Sequence, residues 1–281
     1  MAEIPKLAIV AGRGDLPRLI AEHRDANSSP YLVVSFDQDT QDWMRAHPHQ
    51  EHLYERPAKL FRELKKAGVV EICFAGGTSR PKLRPWLFDH GALKVGAKVL
   101  KLLRQGDDAL LSGLASIFES EGFVMRGADE VLPDLGVQPG FLGRHRPGEL
   151  DRRDVEKGTA ILAALGAHDV CQAVVIARGI CLGIEAIDGT DAMLRRVAEL
   201  APNLREAAPP PSGVLVKIPK RDQDRRVDLP TIGVGTIAAA EKAGLAGISI
   251  EAGGANLVDR AATVSAADEA GLFLWAMEPV R

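Results

Sequence analysis

Short, almost purely apolar and β-prone runs alternate along this chain with segments of helical periodicity. KLAIVA (6–11), Tyr31–Phe36 and Val69–Ala75 are the first three, and helical patterns fill the intervals through about His23 and over 58–67. A strand apolar on both faces needs a layer of helices on each side, so this alternation specifies an α/β fold with crossover helices and a parallel sheet. Helical patterns continue at 91–105 and 107–121, with a short strand at 122–126. A second series follows: a helix at about 153–165, strands at 172–177 and 181–186, and a helix from Gly189 to about 200. A Pro-rich loop then spans 202–213, with strand 214–216, helix 231–243, strand 246–250 and a last helix and strand behind it.

Between the two series, LPDLGVQPGFLGRHRPGEL (132–150) carries three prolines and four glycines, a composition that breaks periodic structure. The expected organisation is a first α/β domain over 1–134, a linker over 135–150 and a second α/β domain over 151–281. A length of 281 residues suits two domains. The balance of 35 Lys+Arg against 38 Asp+Glu gives −3, the wrong sign for a protein that binds nucleic acid by neutralising phosphates, so no nucleic-acid partner is expected. No apolar run approaches the roughly 20 residues that span a bilayer, and the N-terminus reads as a first strand, not as a signal peptide. Cys73, Cys171 and Cys181 form no disulfide framework and no zinc pair, which suits a reducing compartment, and Cys171 and Cys181 read as inert core thiols. His47, His49 and His52 read as a mobile surface loop.

The first strand ends in Gly12-Arg13-Gly14-Asp15, followed by Leu16 and Pro17 at a helix start. Glycines at such a turn let a phosphate approach the backbone, and the helix start offers unpaired amides. Asp37 closes the second strand, where nucleotide-binding sheets place a carboxylate for ribose hydroxyls. The third strand ends in Gly76-Gly77-Thr78-Ser79, a second turn of the same kind. A nicotinamide-dependent oxidoreductase is the rival reading of Gly12, Gly14 and Asp37, and against it Pro17 stands where a dinucleotide GxGxxG fingerprint has its third glycine. A tight turn without a ligand would use the same glycines.

Two charged segments stand out. Arg80, Lys82, Arg84, Lys94, Lys98, Lys101 and Arg104 surround a helical apolar stripe, with Trp86 and Phe88 alongside. That pattern suits an anionic membrane surface, and equally a solvated basic face on a core helix. Over 217–228, Lys217, Lys220, Arg221, Arg225 and Arg226 interleave with Asp222, Asp224 and Asp228. Carboxylates that hold Mg²⁺ and cations that neutralise phosphate oxygens are the needs of phosphoryl chemistry, although a surface salt-bridge loop has the same composition. Thr231 reads as a helix cap. Glu185 ends a strand, Thr190 and Asp191 open the next helix, and Glu251 to Asn256 form a further turn on the ligand side of a sheet.

The strings AGRGDLP (11–17), FAGGTSRPKL (74–83), EAIDGTDAMLRR (185–196), QDRRVDLPTIGVGTI (223–237) and GISIEAGGANLVD (247–259) together resemble the LpxI-type UDP-2,3-diacylglucosamine pyrophosphatases of lipid A synthesis. The similarity runs over essentially the whole chain. It implies a Rossmann-like N-terminal domain, a second α/β domain and a homodimer. It also implies Mg²⁺-dependent hydrolysis of a lipid-linked UDP-sugar to UMP and 2,3-diacylglucosamine 1-phosphate, by water attack on the sugar-side phosphorus. The working site would be cytoplasmic, peripheral to the inner membrane. On this resemblance Asp224 and Asp222, with Lys220, Arg221 and Arg225, are the expected catalytic groups, and Asp224 and Asp228 the expected metal ligands. The substrate would meet Gly12, Arg13, Gly14, Asp15, Asp37, Gly76, Gly77, Thr78 and Ser79, and in the second domain Glu185, Thr190, Asp191 and Thr231. A binding protein without catalysis is the remaining alternative.

Overall fold

The computed structural model describes residues 4–77, 83–89, 107–200, 210–221 and 223–279. The expected helix at 91–105 lies outside these residues. So do Thr78, Ser79, Arg80, Lys82, Lys94, Lys98, Lys101, Arg104, Asp222 and most of the Pro-rich loop. The described residues form two units: Met1–Pro133 with Asp224–Asp228, and Asp134–Gln223 with Leu229–Arg281.

In the first unit the strands are β1 (Lys6–Ala11), β2 (Tyr31–Phe36), β3 (His49–His52), β4 (Val69–Ala75) and β5 (Val124–Arg126). The helices are α1 (Leu16–Ala26), α2 (Pro57–Lys66), α3 (Asp107–Ser120) and α4 (Ala128–Val131). The strands lie in the order β3-β2-β1-β4-β5, all parallel. This is the order of the first five strands of a doubly wound nucleotide-binding sheet, whose ligand side is the carboxyl edge where β1 and β4 run side by side. Ala8, Leu32, Val34 and Ile72 meet Leu60, Phe61 and Leu64 of α2 in one core. Phe61 packs edge-on to Phe118 at 5.2 Å between ring centroids, a favoured aromatic geometry.

Strand β3 replaces the expected mobile loop. Its sequence, His-Gln-Glu-His, has no apolar residue because it is an edge strand. His49 hydrogen bonds Ser35 Oγ at 2.8 Å, His52 is buried, and His47 sits against the rings of Tyr31 and Trp43. Burial lowers the pKa of both His49 and His52.

The second unit has the strands β6 (Gly140–Phe141), β7 (Ala173–Ala177), β8 (Ile180–Ile184), β9 (Val214–Lys217), β10 (Thr231–Ile232), β11 (Gly247–Glu251), β12 (Asn256–Leu257) and β13 (Phe273–Met277). Its helices are α5 (Glu149–Gly166), α6 (Gly189–Ala198), α7 (Val234–Lys242) and α8 (Arg260–Glu269). The main sheet runs β6-β13-β11-β9-β7-β8. Strands β9, β11 and β13 are parallel, and β6, β7 and β8 enter antiparallel. Strands β10 and β12 pair separately. The segment read as a linker contributes β6, which hydrogen bonds to β13, and the start of α5.

Three local readings differ from the sequence expectation. Thr231 lies in β10 and not at a helix start; α7 begins after Gly233. Cys181 is exposed, because β8 is an edge strand. Cys73 and Cys171 are buried, and burial pushes their thiols up to about 12 and about 11. Among the described residues no helix is long and apolar enough to cross a membrane.

Strands β7 and β8 are antiparallel because only Arg178 and Gly179 join them, with φ of 48° and 78°. Two positive φ values in a two-residue loop match the twist of a tight hairpin. The Asp154 carboxylate, buried on α5, accepts both turn amides: Arg178 N–H at 2.7 Å and Gly179 N–H at 2.6 Å. Asp154→Ala leaves both amides without this acceptor and is expected to lower stability by about 2–4 kcal/mol. A urea midpoint for Asp154→Ala equal to that of the unsubstituted protein would contradict this account of the hairpin.

Candidate active site

At the carboxyl edge of the first sheet the two glycine turns touch through their backbones. Gly12 N–H donates to the Ala75 carbonyl at 2.8 Å, Arg13 N–H to the Gly77 carbonyl at 2.7 Å, and Gly77 N–H back to the Arg13 carbonyl at 3.0 Å. A Cβ on Gly12 would sit 2.5 Å from the Gly77 carbonyl oxygen, and one on Gly76, whose φ is +83°, 2.5 Å from that of Arg13. Side chains there are excluded by hard contact and not only by conformation. Gly14 is also left-handed, with φ of +97°. Asp15 stands before α1, pairs with Arg18 at 3.3 Å and does not cap the helix. Arg13 is exposed beside it. The glycines therefore build a backbone-lined rim at the place where such sheets receive phosphates.

Asp37 lies on the same rim, after β2, and Arg84 holds it. Arg84 donates to Asp37 Oδ2 at 2.6 Å and to Glu55 Oε1 at 2.8 Å. These contacts keep Arg84 strongly basic and hold the buried Glu55 below the usual carboxylate range. Arg84 is thus committed to an ion triad and is no part of a free basic face. Asp37 Oδ1 is buried without a hydrogen-bond partner, as is Oδ1 of the neighbouring Asp39, whose other oxygen accepts from Tyr54 at 3.2 Å. Arg84 thus occupies Oδ2, and Oδ1 is the Asp37 oxygen left without a donor.

The mixed-charge loop divides between the two units. Lys220 pairs with Asp169, and its backbone N–H donates to Gln223 Oε1 at 3.0 Å, all within the second unit. Residues Asp224–Asp228 belong to the first unit. There Val227 is buried in the core with Phe118, Phe123 and Met125. Arg226 grips Asp224 through Nε at 3.0 Å and a terminal nitrogen at 2.8 Å, and reaches Glu119 at 2.8 Å. This two-point pair is the strong form of a charged hydrogen bond. It holds the Asp224 carboxyl below its ordinary value and raises Arg226. Arg221 and Arg225 are exposed, and Asp228 is half-buried.

Metal capacity follows from the donor set. Among the described residues no group of three His, Cys, Asp or Glu side chains gathers as a metal cage. Asp224 Oδ1 accepts from Arg226 Nε and from its backbone N–H, while Oδ2 accepts once. An ionised carboxylate has about four acceptor sites, so Asp224 keeps room for one more partner. Magnesium in phosphate chemistry needs only one or two carboxylates beside the substrate's own oxygens, and Asp224 has the capacity for one such contact.

In the second unit Glu185 and Thr190 are both buried and satisfy one another. Thr190 Oγ1 donates to Glu185 Oε1 at 2.5 Å, and Gln172 N–H donates to Oε2 at 3.1 Å. Together they close the connection from β8 to α6, while Asp191 is exposed on the first turn of α6. At the carboxyl ends of β9 and β11 lies a buried polar group of Lys217, Glu251 and Asn256. Lys217 Nζ donates to the Thr231 carbonyl at 3.1 Å, and Thr231 stands opposite Asn256 in the small sheet.

Family models for the LpxI N-terminal domain and the LpxI C-terminal domain match residues 6–135 and 138–275. A curated protein of Caulobacter vibrioides, UDP-2,3-diacylglucosamine pyrophosphatase LpxI, is 40% identical over 274 residues, covering 98% of each chain.

Several groups brought to the site had no local signal. Glu55 and Glu119 lie 29 and 107 residues from the arginines they bind, and no pattern in the sequence joins them. Arg226 could have been paired with Asp224 from their two-residue spacing. The pair also sets a pH dependence. A carboxyl whose folded pKa lies below its unfolded value of about 3.8 adds stability above that value and loses it as pH falls through the folded pKa. Arg226→Met should therefore lower the urea midpoint at pH 7 by a modest amount, since the pair is partly exposed. The difference from the unsubstituted protein should shrink as pH drops below about 4; a difference that grows with acid would contradict the pairing.

Proposed function

The chain belongs to the LpxI family, and on that footing we propose that it hydrolyses the pyrophosphate bond of UDP-2,3-diacylglucosamine, giving UMP and 2,3-diacylglucosamine 1-phosphate. The observation that carries this reading is the 40% identity to the Caulobacter vibrioides pyrophosphatase along 98% of both chains. The local chemistry supports it. A backbone-lined glycine rim and a turn that carries Asp224, Asp228 and the exposed Arg225 supply what a pyrophosphate requires.

In the proposed step water adds to the sugar-side phosphorus, the bond from that phosphorus to the bridging oxygen breaks, and UMP leaves. Asp224 accepts the proton of the attacking water, an assignment that its lowered pKa supports by keeping it ionised. Lys220, Arg221 and Arg225 balance charge on the phosphate oxygens, with Asp222 as a further acid of the same loop. Mg²⁺, held by Asp224 and Asp228 together with substrate oxygens, supplies charge neutralisation when bound. Gly12, Arg13, Gly14, Asp15, Asp37, Gly76 and Gly77 receive the nucleotide half. The protein works as a homodimer on the cytoplasmic face of the inner membrane. Trp86, 79% exposed, and the exposed Phe88 beside it contact the lipid surface.

Three experiments test this reading. Hydrolysis in ¹⁸O-water should place the label in 2,3-diacylglucosamine 1-phosphate, and EDTA should stop it; label in UMP overturns the site of attack, and indifference to EDTA removes the metal. Asp224→Asn should lower turnover about 100-fold or more, and near-normal turnover with an unchanged thermal midpoint would sink its assigned role. In flotation with anionic vesicles Trp86→Ala should associate less than the unsubstituted protein, whereas equal flotation would remove Trp86 from the membrane contact.

A further inference from the structure

Asn256 is 3% exposed, and its Oδ1 is buried with no hydrogen-bond partner. Its backbone is fully employed: its N–H donates to the Pro230 carbonyl at 2.8 Å, and β12 pairs with β10 through Thr231 and Asn256. The side chain is therefore carried to the carboxyl edge of the second sheet without forming a bond that holds the fold. A buried amide oxygen left unpaired costs about 1–3 kcal/mol, and a ligand that supplies a donor removes that cost.

The surroundings indicate what kind of ligand. Lys217 donates to the carbonyl of Thr231, so a buried cation stands beside the strand opposite Asn256. Two residues after Thr231 the helix α7 begins at Gly233 with no side-chain cap, and its first turn, Val234-Gly235-Thr236, holds no acid. Val234 is exposed, and nothing lies within 4 Å of a Cβ built on Gly235. Thr236 N–H already donates to the Gly233 carbonyl at 2.9 Å, which leaves the Val234 and Gly235 amides at the helix start, and such amides favour an oxyanion. An acceptor without a donor favours a hydroxyl or an amide N–H. Both needs are met by one chemical class, a sugar phosphate.

We propose that Asn256 is a substrate-binding residue: its side-chain oxygen accepts a hydrogen bond from a sugar hydroxyl or amide N–H of a phosphosugar whose phosphate rests on the first turn of α7. The inference rests on the reading of the chain as a UDP-2,3-diacylglucosamine hydrolase, since both halves of that substrate are phosphosugars. The uridine half and the acylated glucosamine half are separated by the test.

The test compares the full-length protein with Asn256→Ala in three measurements: the thermal midpoint without ligand, and the affinities for UMP and for 2,3-diacylglucosamine 1-phosphate by calorimetric titration. The thermal midpoint of Asn256→Ala should stay within about 2 °C of the unsubstituted protein or rise, because an unpaired polar atom has been removed. Affinity for one of the two products should fall about tenfold or more, and the product affected identifies the half of the substrate that is bound. Affinities for both products within about twofold of the unsubstituted protein overturn the proposal. A drop of several degrees in the midpoint also overturns it, because the side chain is then structural. If the unsubstituted protein neither binds a product nor releases UMP from UDP-2,3-diacylglucosamine, the functional reading fails, and the assignment of Asn256 fails with it.

Discussion

The turns after β1 and β4 approach one another so closely that a single added carbon on either side would collide with a carbonyl oxygen. That contact fixes the geometry of the first sheet at its working edge. Just beyond the last residues of the parallel β1–β4 pair, the reciprocal bonds between Arg13 and Gly77 form an isolated antiparallel bridge, so both loops leave the sheet from one short backbone ridge. Gln41 is drawn in by the same ridge and donates to the Gly12 carbonyl at 2.9 Å. The loop after β2 is thereby tied to the loop after β1, and Asp37 is delivered to the rim with them. A phosphate-sized group meeting this edge faces main-chain groups, which cannot rotate away as side chains do.

Strands β1, β2 and β4 could be read from sequence because they are buried on both faces, so their composition alone marks them. Strand β3 was hidden because an edge strand needs no apolar residue, and β10 and β12 were hidden because two residues carry no period. The loops were legible in composition but not in pairing. Arg84 reads as one of a basic series, yet its partners are Glu55 and Asp37, brought near by β2 and the loop after β3. Asp224 stands out in any reading of the charged loop, while its tie to Glu119 through Arg226 depends on α3, more than 100 residues upstream. Asn256 reads as the end of a glycine turn. Its importance rests on a missing partner, and no sequence pattern records that.

Some polar atoms in this protein are placed against the interest of stability. Asp37, Asp39 and Asn256 each bury a carbonyl or carboxylate oxygen without a donor, and all three follow the carboxyl ends of strands. Elsewhere the same fold satisfies buried acids fully, as Asp154 and Glu185 illustrate. Unpaired buried polar atoms occur away from these strand ends too, at Arg24 Nε, Trp43 Nε1 and Thr159 Oγ1, and each carries a local cost.

Val227 adds a temporal consequence. It fills part of the core built by Phe61, Phe118 and Phe123, although the second-unit segment Asp134–Gln223 separates it from the end of α4. On a ribosome the first unit would emerge with its sheet complete and its core short of one side chain. It must hold that gap while the next hundred residues are made, a contact of high sequence separation that is slow to form. The same dependence makes the first unit a poor candidate for excision: cut after Pro133, it would lose a core residue and the Arg226 tie to Glu119 together.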